Sequence, residues 1–292
     1  MVIAISVSSN LQGAATLVGD APSILPGGYA GMDFLDFFFF QGKLGIFRAV
    51  ELGAAVSAIV LLYLLRHETM PLSAYKRTAV TDYMPTFLLT GTVLLLICAS
   101  FLPEKPALTN GLICLFMLGL GLVWTGFTKR SWAQVLMPLK EIDYATLALL
   151  SGLFIIIGGV TRAGVVDVLA QCFVAAGADN PFLIYTLIVW ASVLFSAFID
   201  NIPYVAAMLP VVQGIAAMMG IEPYALYFGL LSGATLGGNL TPIGASANIT
   251  AIGILRKEGW SVKNRDFLRI GLPFTLCAVT TGYLLIWLVW GF

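Results

Sequence analysis

Of the 292 residues, 59% are hydrophobic and 10% charged, against about 25% charged in an average soluble domain; mean hydropathy is +0.95. This excludes an ordinary water-soluble enzyme. Lys and Arg total 15, as do Asp and Glu, so no basic surface is offered to nucleic acid, and the solvent the chain prefers is the lipid bilayer.

In chain order, Met1–Ile24 is apolar but interrupted by Gly13 and Gly19. It has no basic flank of the kind a signal peptide carries, and the chain is expected to begin inside a structural repeat. A bilayer core of about 30 Å needs roughly 20 apolar residues in helix. Leu44–Leu65, Tyr83–Leu102, Thr109–Phe127, Tyr144–Val160 and Phe267–Trp290 meet that need, while Phe182–Met219 and Tyr224–Leu255 are apolar but broken. The fold class is an all-α polytopic membrane protein in three parts. Residues 1–65 hold a broken helix and a span. Residues 66–143 hold a connecting loop, a two-span pair and a basic loop. Residues 144–292 hold a span, a re-entrant hairpin, a second broken helix and a last span.

Eleven of the fifteen basic residues fall in three loops, around Arg66–Arg77, Lys129–Lys140 and Arg256–Arg269. Loops rich in Lys and Arg stay cytoplasmic. This expectation places Lys76 and Lys263 inside, and Asp179 and the C-terminus outside the plasma membrane, with Trp287 and Trp290 in an aromatic belt. Cys98, Cys114, Cys172 and Cys277 stand singly in apolar stretches and read as packing residues. Glu51 reads as an ion-pair partner of Arg48, and His67 as a solvated loop residue.

Two stretches 225 positions apart superpose, Gly13–Ile24 on Gly238–Ile249, with Gly, Thr, Gly and Ile in register. Each is followed by Asp-Phe-Leu (Asp33–Leu35, Asp266–Leu268) and then by one long span. With the orientation above, the two spans run in opposite senses, which makes these inverted repeats. Gly-interrupted apolar segments at matching positions of two halves point to a transporter's binding site. A helix broken at membrane depth leaves backbone groups that must meet a ligand, a cavity or the rest of the protein; the competing reading is that the small residues serve close helix packing.

Within Phe182–Met219 the run Ser196-Ala-Phe-Ile-Asp200-Asn201-Ile-Pro203 holds an acid in an apolar setting. Pro203 disfavours helix just before it, so a hairpin tip falls at Asp200-Asn201. An intramembrane carboxylate needs a cation or a proton. It can equally cap the second arm, and both roles can hold together. Asp20 occupies the repeat position that Ala245 fills in the second copy.

The run from Asn10 to Pro22 resembles the SNIGGTATLIGDPPN signature of the ion transporter superfamily. That group holds D-type sodium/proton antiporters, arsenite pump membrane subunits, the pink-eyed-dilution protein and citrate and dicarboxylate carriers. Ser196–Pro210, Gly237–Ile249 and Gly152–Leu169 resemble the family's hairpin, its GGNGTLIGASANV segment and the helix before the hairpin. Family members carry a hairpin ahead of the first motif, and none precedes it in this sequence. Ser23 and Pro26 also depart from the signature. The resemblance implies secondary transport by an elevator or rocking motion, in a homodimer. The expected activity is sodium/proton antiport, with citrate or dicarboxylate uptake, arsenite efflux or a transport-inactive subunit as alternatives. No enzyme signature such as HExxH or GxSxG is present. The expected ion and substrate site comprises Asn10, Thr16, Asp20, Ser196, Asp200, Asn201, Gly238, Asn239, Thr241, Ser246 and Asn248. A sodium ion would sit on Asp200, Asn201 and Asn239, and no other cofactor is implied.

Overall fold

The computed structural model describes residues 1–67, 82–102, 106, 108–129, 132–142, 144–177 and 180–291. The expected inner loop at Lys76 and Arg77, and Lys105, Arg130 and Asp179, lie outside the described residues. The chain is α-helical and divides into two compact units.

The smaller unit, Asp33–Leu35 with Met70–Leu149, contains α4 (Met84–Ser100), α5 (Thr109–Lys129) and α6 (Trp132–Lys140). Helix α4 is 17 residues long, shorter than the expected span Tyr83–Leu102, because the helix ends before Phe101. Glycine lets α4 and α5 approach: a Cβ at Gly91 would meet Met117 Cε at 2.6 Å, and one at Gly121 would meet Leu88 Cδ1 at 2.9 Å. Cys98 and Cys114 face outward rather than packing inside the unit.

The larger unit, Met1–Met32, Asp36–Thr69 and Leu150–Phe292, holds the two broken segments. Helices α1 (Val2–Gly13) and α2 (Ala21–Ala30) flank the first break, and α3 (Ile46–Leu65) is the span that follows. A two-stranded hairpin, β1 (Phe39–Phe40) and β2 (Lys43–Leu44), lies between α2 and α3. Helix α7 (Tyr144–Arg162) leads to α8 (Val165–Gly177) through a 73° bend at Gly164, whose φ of +76° suits glycine. Then come α9 (Pro181–Ser196) and α10 (Asn201–Met219), joined by a four-residue turn; α11 (Tyr224–Gly237) and α12 (Ser246–Lys257), flanking the second break; and α13 (Asn264–Trp290). By length and composition α3, α5, α10 and α13 can each cross a bilayer. The first arm of the expected hairpin, α9, is shorter.

Local sequence explains these ends. Asp20 caps α2, accepting from Ala21 N at 2.8 Å. Asn180 caps α9 ahead of Pro181, and Asp200 caps α10, accepting from Ile202 N at 3.0 Å. Such caps satisfy N–H groups that the helix leaves unpaired.

In lipid, apolar contact gains little over lipid contact, so helices associate through close packing of small residues. Helix α11 illustrates this with Gly229, Gly233 and Gly237, one per turn, against α9: a Cβ on Gly233 would lie 2.5 Å from Val189 O, and one on Gly237 2.5 Å from Val193 O. All of Ala225–Gly237 is buried. Helices α3 and α13 cross closely at Gly53, where a Cβ would stand 3.1 Å from Ala278 O. At the far end of α13, Trp290 Nε1 donates to Leu44 O at 2.9 Å, and its ring meets Phe40, Tyr224 and Phe228. Arg48 lies over the Phe39 ring, 5.8 Å from its centroid, and makes no ion pair with Glu51. His67 accepts from Arg66 Nε at 3.1 Å in an exposed position. Cys172 is exposed and Cys277 half-buried.

The segments matched in sequence are alike in geometry. Ser23 Oγ donates to Gly13 O at 2.7 Å, and Asn248 Nδ2, 225 positions on, donates to Gly238 O at 3.0 Å. A Cβ at Gly19 would stand 2.5 Å from Gly13 O, and one at Gly244 would stand 2.6 Å from Gly238 O. Both bends therefore need glycine for the same backbone approach. Gly19→Ala and Gly244→Ala are each expected to cost about 1–3 kcal/mol of stability, read as a lowered thermal unfolding midpoint of the protein in detergent. Gly253→Ala in α12, where a Cβ meets nothing within 4 Å, should cause no loss.

Candidate functional site

The first break runs through residues 14–20 and the second through 238–245, and side-chain amides join them. Asn10, on the last turn of α1, donates through Nδ2 to Thr235 O at 2.7 Å and to Asn239 Oδ1 at 3.1 Å. Asn239 Nδ2 returns a bond to Val7 O at 3.0 Å. Asn248 Nδ2 donates to Gly238 O at 3.0 Å and Thr241 O at 3.2 Å, while its Oδ1 accepts from Ser6 Oγ at 2.6 Å. Asn10, Asn239 and Asn248 are at most 5% exposed. The bonds to Thr235 O, Gly238 O and Thr241 O meet carbonyls in the last turn of α11 or in the break that follows it, and the bond to Val7 O ties that break to the middle of α1.

The α9–α10 turn is held against the second break. Ser196 Oγ donates to Ala234 O at 2.5 Å and Thr241 Oγ1 donates to Ala197 O. A Cβ on Gly244 would lie 2.9 Å from Ala197 O.

The expected site residues thus separate into two sets. Asn10, Asn239, Asn248, Ser196, Thr241 and Gly238 form a connected, buried or half-buried frame. Asn201 is buried at the first position of α10. Thr16 and Asp20 are half-buried at the first break, whereas Asp200 and Ser246 are exposed. Two members of the frame were missed in the sequence: Ser6, one helical turn before Asn10 on the same face, and Thr235, the repeat partner of Asn10. Thr235 Oγ1 and Thr275 Oγ1 are buried without a hydrogen-bond partner.

Electrostatically the site is acidic. Asp20 and Asp200 cap α2 and α10, which pack against each other, and each accepts a bond only from a backbone N–H at its own helix terminus. Among the described residues no Lys or Arg pairs with either. The three half-helix N-termini differ: α2 and α10 carry these acids as caps, whereas α12 begins at Ala245 with no side-chain cap. An open cleft of about 600 Å³ lies between α1, the first break and α12; Ser6, Ser9, Asn10, Asp20, Ser246 and Thr250 supply its polar lining. Among the described residues no cluster of three His, Cys, Asp or Glu is present to hold a transition metal.

Comparison with known proteins gives a family model, described as citrate transporter, that matches residues 1–231. An uncharacterized transporter of Mycobacterium tuberculosis is 32% identical over 286 residues, covering 96% of this chain and 65% of that protein. The same shares hold for a 46 kDa membrane protein of Mycobacterium leprae. The mouse P protein is 32% identical over 183 residues, 57% of this chain and 22% of that protein. The chain thus spans 65% of the length of the mycobacterial relatives.

The amide frame carries a stability prediction. Asn10→Ala leaves Thr235 O and Asn239 Oδ1 without a donor and should cost about 1–3 kcal/mol. The double variant with Asn239→Ala should cost less than the sum of the single losses, because the two share a bond. Thermal unfolding of the four proteins in one detergent measures this directly.

Proposed function

Since the chain belongs to the citrate transporter family, we propose that it forms the greater part of a secondary transporter that exchanges a cation, sodium by its oxygen ligands, for protons. The observation that carries this reading is that Asp20 and Asp200 cap two helices that pack against each other, α2 and α10, with no basic partner for either among the described residues. A carboxylate in a membrane-embedded setting is stable only if a cation binds it or a proton neutralises it. Those two states are the ones an antiporter alternates between. Hard carboxylate and hydroxyl oxygens suit sodium; Thr16, Thr241 and Ser246 stand at or beside the breaks, and Asn201 stands at the start of α10.

Asn239, Asn248 and Asn10 have a positioning part in this scheme. Their carboxamides hold the two breaks in register, and through them the carboxylates. The two broken segments are read as inverted repeats, the protein as a multi-pass homodimer in the plasma membrane, and its C-terminus as external.

A second reading rests on one asymmetry. Ala245 replaces Asp20 in the second copy, so α12 presents its first N–H groups to the cleft without a carboxylate of its own. A helix N-terminus attracts an anionic oxygen, which suits a carboxylate substrate of the kind the family description names.

Sodium-driven proton flux in inverted membrane vesicles tests the first reading. Asp200→Asn and Asp20→Asn keep the size and much of the hydrogen bonding while removing the titration, so either should abolish pH-coupled exchange without loss of membrane insertion. Wild-type flux in both variants would refute the antiport mechanism. Citrate uptake that needs neither sodium nor a proton gradient would move the assignment to the anion carriers.

A further inference from the structure

We propose that the segment from the last turn of α12 to the second turn of α13, with Trp260 at its tip, is a docking surface for anionic phospholipid headgroups. It lies at the membrane face where α12 ends and α13 begins.

The connection between the two helices is fixed by its own backbone. Helix α12 ends at Lys257, Gly259 takes a φ of +83°, and the next bonds run backwards: Gly259 N donates to Arg256 O at 3.1 Å and Trp260 N to Leu255 O at 2.9 Å. This paired bonding closes a helix C-terminus, and the residue after the glycine ordinarily folds back onto an apolar side chain of the last turns. Trp260 departs from that habit. It is 68% exposed, and its indole makes no hydrogen bond or ring contact among the described residues. The tryptophans at the far end of α13 are held differently: Trp287 packs against Phe182 and Tyr185, and Trp290 against Phe40, Tyr224 and Phe228. An indole turned outward beside a bilayer-spanning helix suits the headgroup layer, where tryptophan is enriched.

Five cations flank it. Arg256, Lys257, Lys263, Arg265 and Arg269 are all exposed, and among the described residues none of them forms an ion pair. Arg256 and Lys257 meet the partial negative charge at the end of α12. That account fails for the other three, which stand at the start of α13, where the helix end is itself partially positive. Of the acids in the segment, Asp266 accepts from Lys263 N at 3.3 Å as part of the α13 cap, and Glu258 is exposed, so positive charge is in surplus. Phe267 is fully buried and sets the roll of α13. Arg265 and Arg269 lie about 200° around the helix from it and so face away from the protein. At the other end of α13 the cations are covered by rings: Lys43 Nζ is 5.2 Å from the Trp290 centroid, and Arg48 is 5.8 Å from that of Phe39.

The depth fits lipid. Helix α13 has 27 residues, about 40 Å at 1.5 Å per residue, the thickness of a bilayer with its headgroups. With Trp290 in one headgroup layer, Arg265 and Arg269 lie in the other. Guanidinium groups grip phosphate oxygens through paired N–H donors, and a basic cluster next to a span draws anionic lipid. A soluble anion would answer the cations but not the outward indole.

The experiment titrates the purified full chain, in mild detergent, with phosphatidylglycerol or phosphatidylcholine carrying the same brominated tails. Quenching of Trp260 is taken as the difference between wild type and Trp260→Phe. Half-quenching is expected at a concentration about tenfold lower with phosphatidylglycerol. That preference should shrink in the pair Arg265→Gln with Arg269→Gln, and in the wild type at about 0.5 M salt, where the charges are screened. The pair Lys43→Gln with Arg48→Gln, at the other end of α13, should leave it unchanged. Equal quenching by the two lipids in the wild type overturns the proposal, as does a preference that neither the Arg265 and Arg269 pair nor salt diminishes. Relief of the quenching by free glycerol 3-phosphate at matched concentration also overturns it, because the cations would then serve a soluble anion.

Discussion

A helix interrupted inside a bilayer leaves backbone donors and acceptors where no water can satisfy them, and the larger unit is organised by how those groups are met. Asn10 bonds Thr235 O, Asn239 bonds Val7 O, and Asn248 bonds Gly238 O and Thr241 O. Each amide serves a backbone carbonyl, and Asn10 and Asn239 also bond each other. The breaks are thereby fixed to one another as well as tolerated, and the close glycine bends at Gly19 and Gly244 follow from the same geometry. Asp20 and Asp200 stand at helix ends, capping α2 and α10.

Much of this was legible in the sequence. The two interruptions, three of the four long apolar helices (α3, α5 and α13) and the acid at the α9–α10 turn follow from hydropathy, Gly and Pro placement and the 225-residue match, whereas α10 was read only as an arm of a broken segment. The bend that makes α8 a separate helix was not read, although Gly164 was its signal. The hydrogen-bond partners were not legible either. Composition marks Asn239 as a polar group needing company, but which carbonyl it meets depends on α1 and α11 lying side by side. The same limit hid Ser6, an ordinary small residue in sequence and a bond to Asn248 in space. The outward cysteines show a related effect: in lipid an apolar stretch has an exposed face as apolar as its buried one, so hydropathy does not say which residues pack.

The difference between the two copies carries as much meaning as their likeness. Asp20 caps α2 where Ala245 leaves α12 uncapped, so one half presents negative charge and the other a helix terminus with partial positive charge. Both breaks are anchored to the same side chains, Asn10 and Asn239.

The central claim is that Asp20 and Asp200 together hold a cation, and ligand-dependent stability tests it most directly. A cation that binds the folded protein raises its unfolding midpoint as concentration passes the dissociation constant. The purified protein, titrated with sodium against choline at constant ionic strength and at several pH values, is predicted to gain stability from sodium. That gain should fade as protons compete at low pH and vanish in the double variant Asp20→Asn with Asp200→Asn. An equal sodium-dependent gain in the double variant, or none in the wild type at any pH, would contradict the account.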